Sequence, residues 1–237
     1  MKKAIALIEL VFAIVVIGIT LLSVPNLLNL SKKTSTNVIT QESISNAASQ
    51  LSMIMSQYWD EVDSSSNYDS PILYVHSGDV ELNETKDTNG NLIGRRVGSN
   101  QETPRRFGID ENGAKLYASD VLGSDSNDIF EDDIDDFNGQ SYTLVSHVGE
   151  TTTADVGEFK DINITIATAV KYINDSNTYS NSTIAFNNPF NNLSASSSNI
   201  KAITVSITSS INPNKKIVFK AFSCNIGASK LKERIFQ

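Results

Sequence analysis

Two hydrophobic patterns divide the first sixty residues. Residues 5–24 read IALIELVFAIVVIGITLLSV, apolar on every face of a helix and interrupted by one charge, Glu9. At 1.5 Å per residue such a helix spans about 30 Å, the thickness of bilayer hydrocarbon. From residue 44 the pattern becomes one-sided. Ile44, Ala47 and Ala48, Leu51, Ile54 and Met55, and Tyr58 and Trp59 recur at helical spacing, as in an amphipathic helix that buries one stripe. Met53, Met55, Tyr58 and Trp59 read as core anchors of that stripe. Between the two patterns, Asn29 and residues 31–37 are poor helix formers and predict thinning or fraying. Pro25 is read either as a kink in one helix or as its end, with Asn26 capping a second.

Period-two alternation takes over further along. Short candidate strands at 72–75, 92–97 and 106–109 are separated by turns such as Asn89-Gly90 and Glu111-Asn112-Gly113. Stronger candidates follow at 142–148, 159–170 (through Ile162, Ile164 and Ile166), 200–207 (through Ile203, Val205 and Ile207) and 217–224. Asn212-Pro213-Asn214-Lys215 reads as the turn of a hairpin between the last two. Residues 174–199, rich in Asn and Ser, read as a long surface loop with a short strand at 183–186. Clean alternation implies half-buried antiparallel strands. No long helix fits between them. The predicted fold class is α+β: a long N-terminal α-helix, membrane-spanning then amphipathic, packed on a C-terminal antiparallel β-sheet.

Charge is unevenly spread within an overall −8. Residues 60–161 hold 23 acidic against 7 basic residues, whereas the segments on either side carry a net positive charge. The acidic middle disfavours nucleic-acid binding there. Cys224 is the only cysteine, so there is no intrachain disulfide or thiolate metal cluster. In an apolar strand it reads as a buried, inert thiol, with an intermolecular bridge or a reactive thiol as the alternatives.

Candidate chemistry is sparse. Asp132, Asp133, Asp135 and Asp136 lie in the acidic run 125–136 and are weak candidates for calcium, which takes oxygen ligands. The run lacks a glycine-centred twelve-residue loop and reads first as a solvated acidic turn. Ile129, Phe130, Ile134 and Phe137 are spaced to tuck that turn against the body. His76 and His147 read as ordinary strand residues. Arg95, Arg96, Arg105 and Arg106 form one compact basic group, read as pairing with acidic surroundings or as an intersubunit contact. No nucleophile elbow, Walker loop or Rossmann glycine set is present, so the chain is read as a non-enzyme needing no cofactor.

Glu9 is the anomaly. A carboxylate inside an apolar span costs at least ~2.5 kcal/mol on insertion scales, so its default reading is functional. Lys2-Lys3-Ala4 followed by Ile-Ala-Leu-Ile-Glu-Leu-Val-Phe-Ala-Ile-Val-Val-Ile-Gly resembles the leader and N-terminal helix of type IV pilins and of type II secretion pseudopilins. The resemblance covers about thirty residues. It implies that prepilin peptidase cuts after Ala4, that Ile5 becomes an N-methylated terminus, and that Glu9 is the fifth-position glutamate used in assembly. Ala4 stands where Gly is usual, and Ile5 where Phe or Met is usual.

The implied organisation is a leader at 1–4, a transmembrane or filament-core helix at 5–30, an amphipathic helix at 31–59 and a globular domain at 60–237. The implied function is a minor structural subunit of a pseudopilus or pilus-like filament in protein secretion. Its partners would be other pilin-like subunits, the peptidase, an inner-membrane assembly platform and the lipid bilayer. The location would be the bacterial inner membrane, with the N-terminus cytoplasmic and the globular domain periplasmic. A DNA-uptake pilus, where nucleic acid becomes a partner, is the alternative. A membrane-tethered enzyme or binding module is the rival from another class.

Overall fold

The computed structural model describes residues 2–65, 70–78, 80–83, 86, 88–91, 96, 105–124, 130–152, 155–174, 182–183 and 188–228. The side chains of 2–6, 64–65, 80–81, 148–152, 155–160 and 189 lie outside that description. Of the sequence-predicted strands, 92–95, 97 and 184–186 fall outside the described residues, as do Arg95 and Ile129.

A single helix, α1 (Lys2–Ile54, 53 residues), dominates the N-terminal quarter and is about 80 Å long. It passes through Pro25 without ending, which overturns the reading of Asn26 as the cap of a second helix. The polar stretch at 29–37 is helical too, so the expected fraying is absent. The hydroxyls there turn back onto the helix itself. Thr36 Oγ1 donates to the Lys32 carbonyl at 3.0 Å, Thr40 Oγ1 to Thr36 at 2.8 Å, and Ser43 Oγ to Ile39 at 2.6 Å. Polar side chains are thereby satisfied without breaking the backbone ladder.

The helix ends at Ile54, ahead of Trp59, where the chain tightens. Ser56 N donates to Met53 O at 3.0 Å and Gln57 N to Ile54 O at 3.1 Å, the shorter-range bonds that finish many helices. This early end alters the expected stripe. Ile39, Ser43, Ala47 and Ile54 are buried and Leu51 packs beside them, but Met53, Met55 and Tyr58 are exposed. Met53 and Met55 flank Ile54 on a helical wheel, and Ile54 takes the inward position. Trp59 alone of the four expected anchors is buried.

The sheet has four antiparallel strands in sequential order: β1 (Ser141–Thr152), β2 (Asp155–Tyr172), β3 (Ile200–Ser209) and β4 (Ile217–Cys224). Alternation sets the buried face. Ile162, Ile164, Ile166, Val170 and Tyr172 of β2 are buried, as are Ile203, Val205 and Ile207 of β3. They form one core with the inner face of α1, Trp59, Ile134 and Phe137. The β3–β4 turn falls at 210–216 as expected. The ladder between β2 and β3 begins at Ile164↔Ser209, whereas β1 and β2 stay paired from there out to Thr152↔Asp155.

The weaker candidates at 72–75 and 106–109 form only isolated bridges, Ile72↔Phe107, Tyr74↔Tyr117 and Ile109↔Lys115. Ile72, Tyr74 and Phe107 make a small second core, with the Tyr74 and Phe107 rings 4.7 Å apart. The Asn225 amide clasps this region to the sheet, accepting from Leu73 N at 3.0 Å and donating to Leu73 O at 2.7 Å. Gly227 follows at φ +59°, where a Cβ would lie 2.9 Å from Ile72 N; only glycine fits there. Part of the expected 174–199 surface loop is interior, since Ser197, Ser198 and Asn199 are buried.

Among the described residues, the first half of α1 contributes no core residue, and stability should reflect that. Ile203→Ala is expected to destabilise the domain by about 2–5 kcal/mol, while Leu22→Ala should change it by less than about 0.5 kcal/mol. Urea unfolding of the full chain in detergent, followed by Trp59 fluorescence, measures both.

Candidate functional site: the exposed apolar helix and the charge cluster at its foot

Among the described residues, α1 is the one helix long and apolar enough to cross a membrane, and none of its apolar window is buried inside the domain. Leu7, Ile8, Leu10, Val11, Phe12 and Ile14 are all exposed, as are Ile17, Ile19, Leu21 and Leu22 further along. The hydroxyl groups in this segment bond internally. Thr20 Oγ1 donates to the Ile17 carbonyl at 2.8 Å, and Ser23 Oγ to the Thr20 carbonyl at 2.8 Å. Such a surface suits hydrocarbon or other apolar helices better than water. Glu9 stands exposed on it, with apolar side chains above and below. Ala4 and Ile5 lie in the first turns of α1, and their side chains are outside the description.

The second concentration of chemistry lies just past the end of α1. Lys201 on β3 is fully buried, directly opposite Tyr172 in the β2–β3 register. Its ammonium donates to the Trp59 carbonyl at 2.6 Å, to Asp60 Oδ2 at 3.2 Å and to Asp135 Oδ1. All three donors are thus used. The Trp59 ring centroid is 4.4 Å from Nζ and that of Tyr172 is 5.4 Å away, adding cation–π attraction in a desolvated site. Asp60 Oδ2 also accepts from Ser119 N at 3.1 Å, and the Tyr172 hydroxyl donates to Ser119 O at 2.6 Å.

Asp63, Asp133 and Asp136 crowd the same region. Asp133 Oδ1 accepts from the Asp135 and Asp136 amides at 2.8 and 3.1 Å. Asp136 Oδ2 accepts from the amides of Asp132 and Asp133. These bonds close the 3-10 turn at Asp135–Phe137. Asp63 Oδ1 is buried without a hydrogen-bond partner. Carboxylates therefore outnumber the one ammonium, and burial favours their neutral forms. Burial, then Asp60, pushes the Asp63 carboxyl up to about 7. Burial, then Asp135, pushes Asp133 up to about 8. Burial also raises Asp135, with Lys201 opposing it.

The expected solvated turn is corrected on this point. Asp133, Asp135 and Asp136 are buried, while Asp132 is exposed. Their turn is drawn inward because Ile134 and Phe137 join the core and Lys201 supplies a countercharge. Phe130, expected to tuck in with them, is exposed. Among the described residues, no group of three or more His, Cys, Asp or Glu side chains is placed to hold a metal ion. The position between Asp60 and Asp135, where a cation would sit, is filled by the Lys201 ammonium.

Other singled-out residues have structural partners. His76 Nδ1 lies 3.2 Å from Asp120 Oδ2 and 3.0 Å from Ser197 Oγ, and its ring stacks on Tyr117. The Ser197 amide, with His76 behind it, holds the Asp120 carboxyl below its usual range. His147 pairs with Asp161 across β1 and β2 at 2.6 Å; both sites are exposed, so each pair contributes little. Arg96 bonds to backbone and amide oxygens of the domain. Its guanidinium donates to the Leu82 and Asn225 carbonyls and, at 2.8 Å, to Asn199 Oδ1. Cys224 is half-buried at the end of β4 rather than buried.

No protein-family model, curated protein or solved structure matches this chain. Its function is therefore argued from its own residues.

Sequence reading missed the Lys201 cluster, although a signal for it was present. Lys201 occupies the same alternation phase as Ile203, Val205 and Ile207, so a lysine stood on the face destined for the core. A lysine there requires buried acids.

Two outcomes follow from the cluster. Lys201→Met should destabilise the domain by about 3–5 kcal/mol, because Asp60 and Asp135 are left buried and unpaired. Chemical unfolding of the full chain measures it. Asp63 and Asp133 hold protons more tightly folded than unfolded, so native protein binds more protons between about pH 4 and 8. Stability should accordingly rise as pH falls from 8 towards 5. Asp63→Asn should flatten that slope and raise stability at pH 8 by about 1–3 kcal/mol, as read from thermal unfolding across pH.

Proposed function

We propose that this chain is a minor structural subunit of a pseudopilus or type IV pilus-like filament, anchored and assembled through α1 and working in protein secretion. One observation carries the reading. Residues 7–24 of α1 are exposed on all faces, stand clear of the folded domain, and have Glu9 as the one charge in an apolar run. A helix that merely anchored an ectodomain would have no use for a carboxylate at that depth. A helix that packs against neighbours would use it, because pairing with a positive group offsets part of the desolvation cost and sets a register.

In this reading the leader is removed after Ala4. The α-amine released at Ile5 is then the nearest countercharge, one helical turn from Glu9 in its own chain or supplied by an incoming subunit. Leu7, Ile8, Leu10, Val11, Phe12 and Ile14 supply apolar contact around that pair. Lys2 and Lys3 favour a cytoplasmic start, with the domain on the far side of the inner membrane. The charge cluster around Lys201 has a structural role in this scheme, and no catalytic step is assigned to the chain.

Glu9→Leu tests the proposal. The variant should insert into membranes as well as the parent, since a costly charge is gone, and should still be cut to Ile5. Crosslinking to other pilin-like subunits, and secretion by the host, should fall at least about tenfold, as expected if the lost pairing is worth 1.4 kcal/mol or more. Wild-type crosslinking together with wild-type secretion would reject the assembly role. N-terminal sequencing of membrane-extracted protein checks processing, and a retained Met1 would reject the leader.

A further inference from the structure

At the centre of the buried charge cluster an amine and a carboxyl touch. Lys201 Nζ is 2.5 Å from Asp135 Oδ1 and 3.2 Å from Asp60 Oδ2, and all three side chains are buried. No more than about 3.8 Å can then separate Nζ from the Asp135 carboxyl carbon, which is one C–O bond behind Oδ1. Groups held that close in one orientation react as if at very high concentration. The Trp59 and Tyr172 rings flank Nζ, with centroids 4.4 and 5.4 Å away, and both residues are buried. Water is thereby kept from the amine, and a lysine in such a pocket is more reactive as a nucleophile.

The same burial favours a neutral product. An ion pair sealed in the interior forfeits the hydration of both partners, whereas an amide carries no charge to desolvate. The ion-paired cluster is also incompletely satisfied, since Asp63 Oδ1 is buried in it without a hydrogen-bond partner. A proton donor stands beside the reacting carboxyl. The Asp133 side chain is hydrogen-bonded to that of Asp135, and burial keeps its carboxyl neutral. Asp60 is the poorer acyl partner, being farther from Nζ. The Ser119 amide already donates to its Oδ2 at 3.1 Å and the Val62 amide to its Oδ1 at 3.4 Å. It is placed instead to receive a proton from the ammonium.

We propose that Lys201 and Asp135 condense in the folded protein to an intramolecular isopeptide bond, which joins β3 covalently to the 3-10 turn. The ammonium gives one proton to Asp60, and the freed Nζ lone pair attacks Asp135 Cγ. A C–N bond forms and one C–O bond of Asp135 breaks. The departing oxygen leaves as water, taking one proton passed on by Asp60 and one from Asp133, which recovers its own from Nζ. Ammonium and carboxylate thus become an amide N–H and one water, with no change of oxidation state and no co-reactant. The ion pair is the precursor that folding assembles. The bond encloses residues 135–201, with all of β1 and β2, in a loop whose ends cannot part on unfolding. It does not depend on α1 assembling into a filament.

Peptide mapping by mass spectrometry tests it on the full chain, purified in detergent, held folded at pH 7, then denatured and digested. One branched peptide should appear, joining the segments that contain Lys201 and Asp135 and lighter than their sum by one water. Lys201→Arg, which keeps the cation, and Asp135→Ala should each abolish it. Asp133→Asn should slow its accumulation at least about tenfold, the loss expected for a proton donor, while Trp59 fluorescence still reports a folded chain. Recovery of both segments unlinked from the parent chain would overturn the bond, and that measurement stands even if a variant fails to fold. A one-water loss that persists in Lys201→Arg would mark a cyclised aspartate and overturn it equally. A branch ending at Asp60 would overturn the assignment to Asp135, and an unchanged rate in Asp133→Asn would overturn its role as donor.

Discussion

An ammonium group sealed away from water must find every one of its partners inside the protein, and Lys201 finds them on parts of the chain that are far apart in sequence. Its bonds join β3 to the segment after α1 through Trp59 and Asp60, and to the 3-10 turn through Asp135. The register of the sheet depends on the same residue, because Tyr172 opposite it must turn its ring to the ammonium and its hydroxyl to Ser119. A one-residue slip of β3 would send Lys201 to the outer face and Ala202 inward, leaving Asp60, Asp135 and the acids beside them with no countercharge. The arrangement therefore disfavours alternative pairings more strongly than it stabilises the correct one, since desolvating the charges consumes much of the attraction between them.

The helix answers to two different solvents. From Leu7 to Val24 it displays apolar residues all round, and from Ile39 onward it buries one stripe against the sheet. The short polar stretch between them has weak helix propensity, and back-bonded hydroxyls rather than packing satisfy its polar groups. The two halves thus remain one continuous element, although what stabilises each is unrelated to what stabilises the other. Changes in the second half should register in folding, whereas changes at residues 7–24 should leave the stability of the domain little altered.

Much of this was legible in the chain. Alternation through Ile162, Ile164 and Ile166, and through Ile203, Val205 and Ile207, located the two central strands, and the Asn-Pro-Asn-Lys turn located a hairpin. Periodicity was less informative at the end of α1, where it enrolled Met53, Met55 and Tyr58 in a stripe that the helix leaves before reaching Trp59. Local pattern also could not tell an acidic run on the surface from one drawn inside. Asp133, Asp135 and Asp136 are buried because of a lysine sixty-odd residues away, and a contact at that separation leaves no trace in spacing. Glu9 was the opposite case: a lone charge in an apolar run is conspicuous in sequence, while the isolated chain shows it only as an exposed side chain.

The way α1 meets the sheet also bears on how the molecule carries mechanical load. Tension drawn along the helix would try to slide Ile39, Ser43, Ala47 and Ile54 past the strands together, since all four lie on one rigid rod. Sliding engages every contact at once and meets close-packed resistance along its length, unlike peeling, which opens contacts one at a time. Beyond the helix end, the same pull reaches Trp59 and Asp60, where it meets a lysine held from three sides. A pull along the helix would thus be resisted first by the packed stripe and then by the Lys201 bonds at its end.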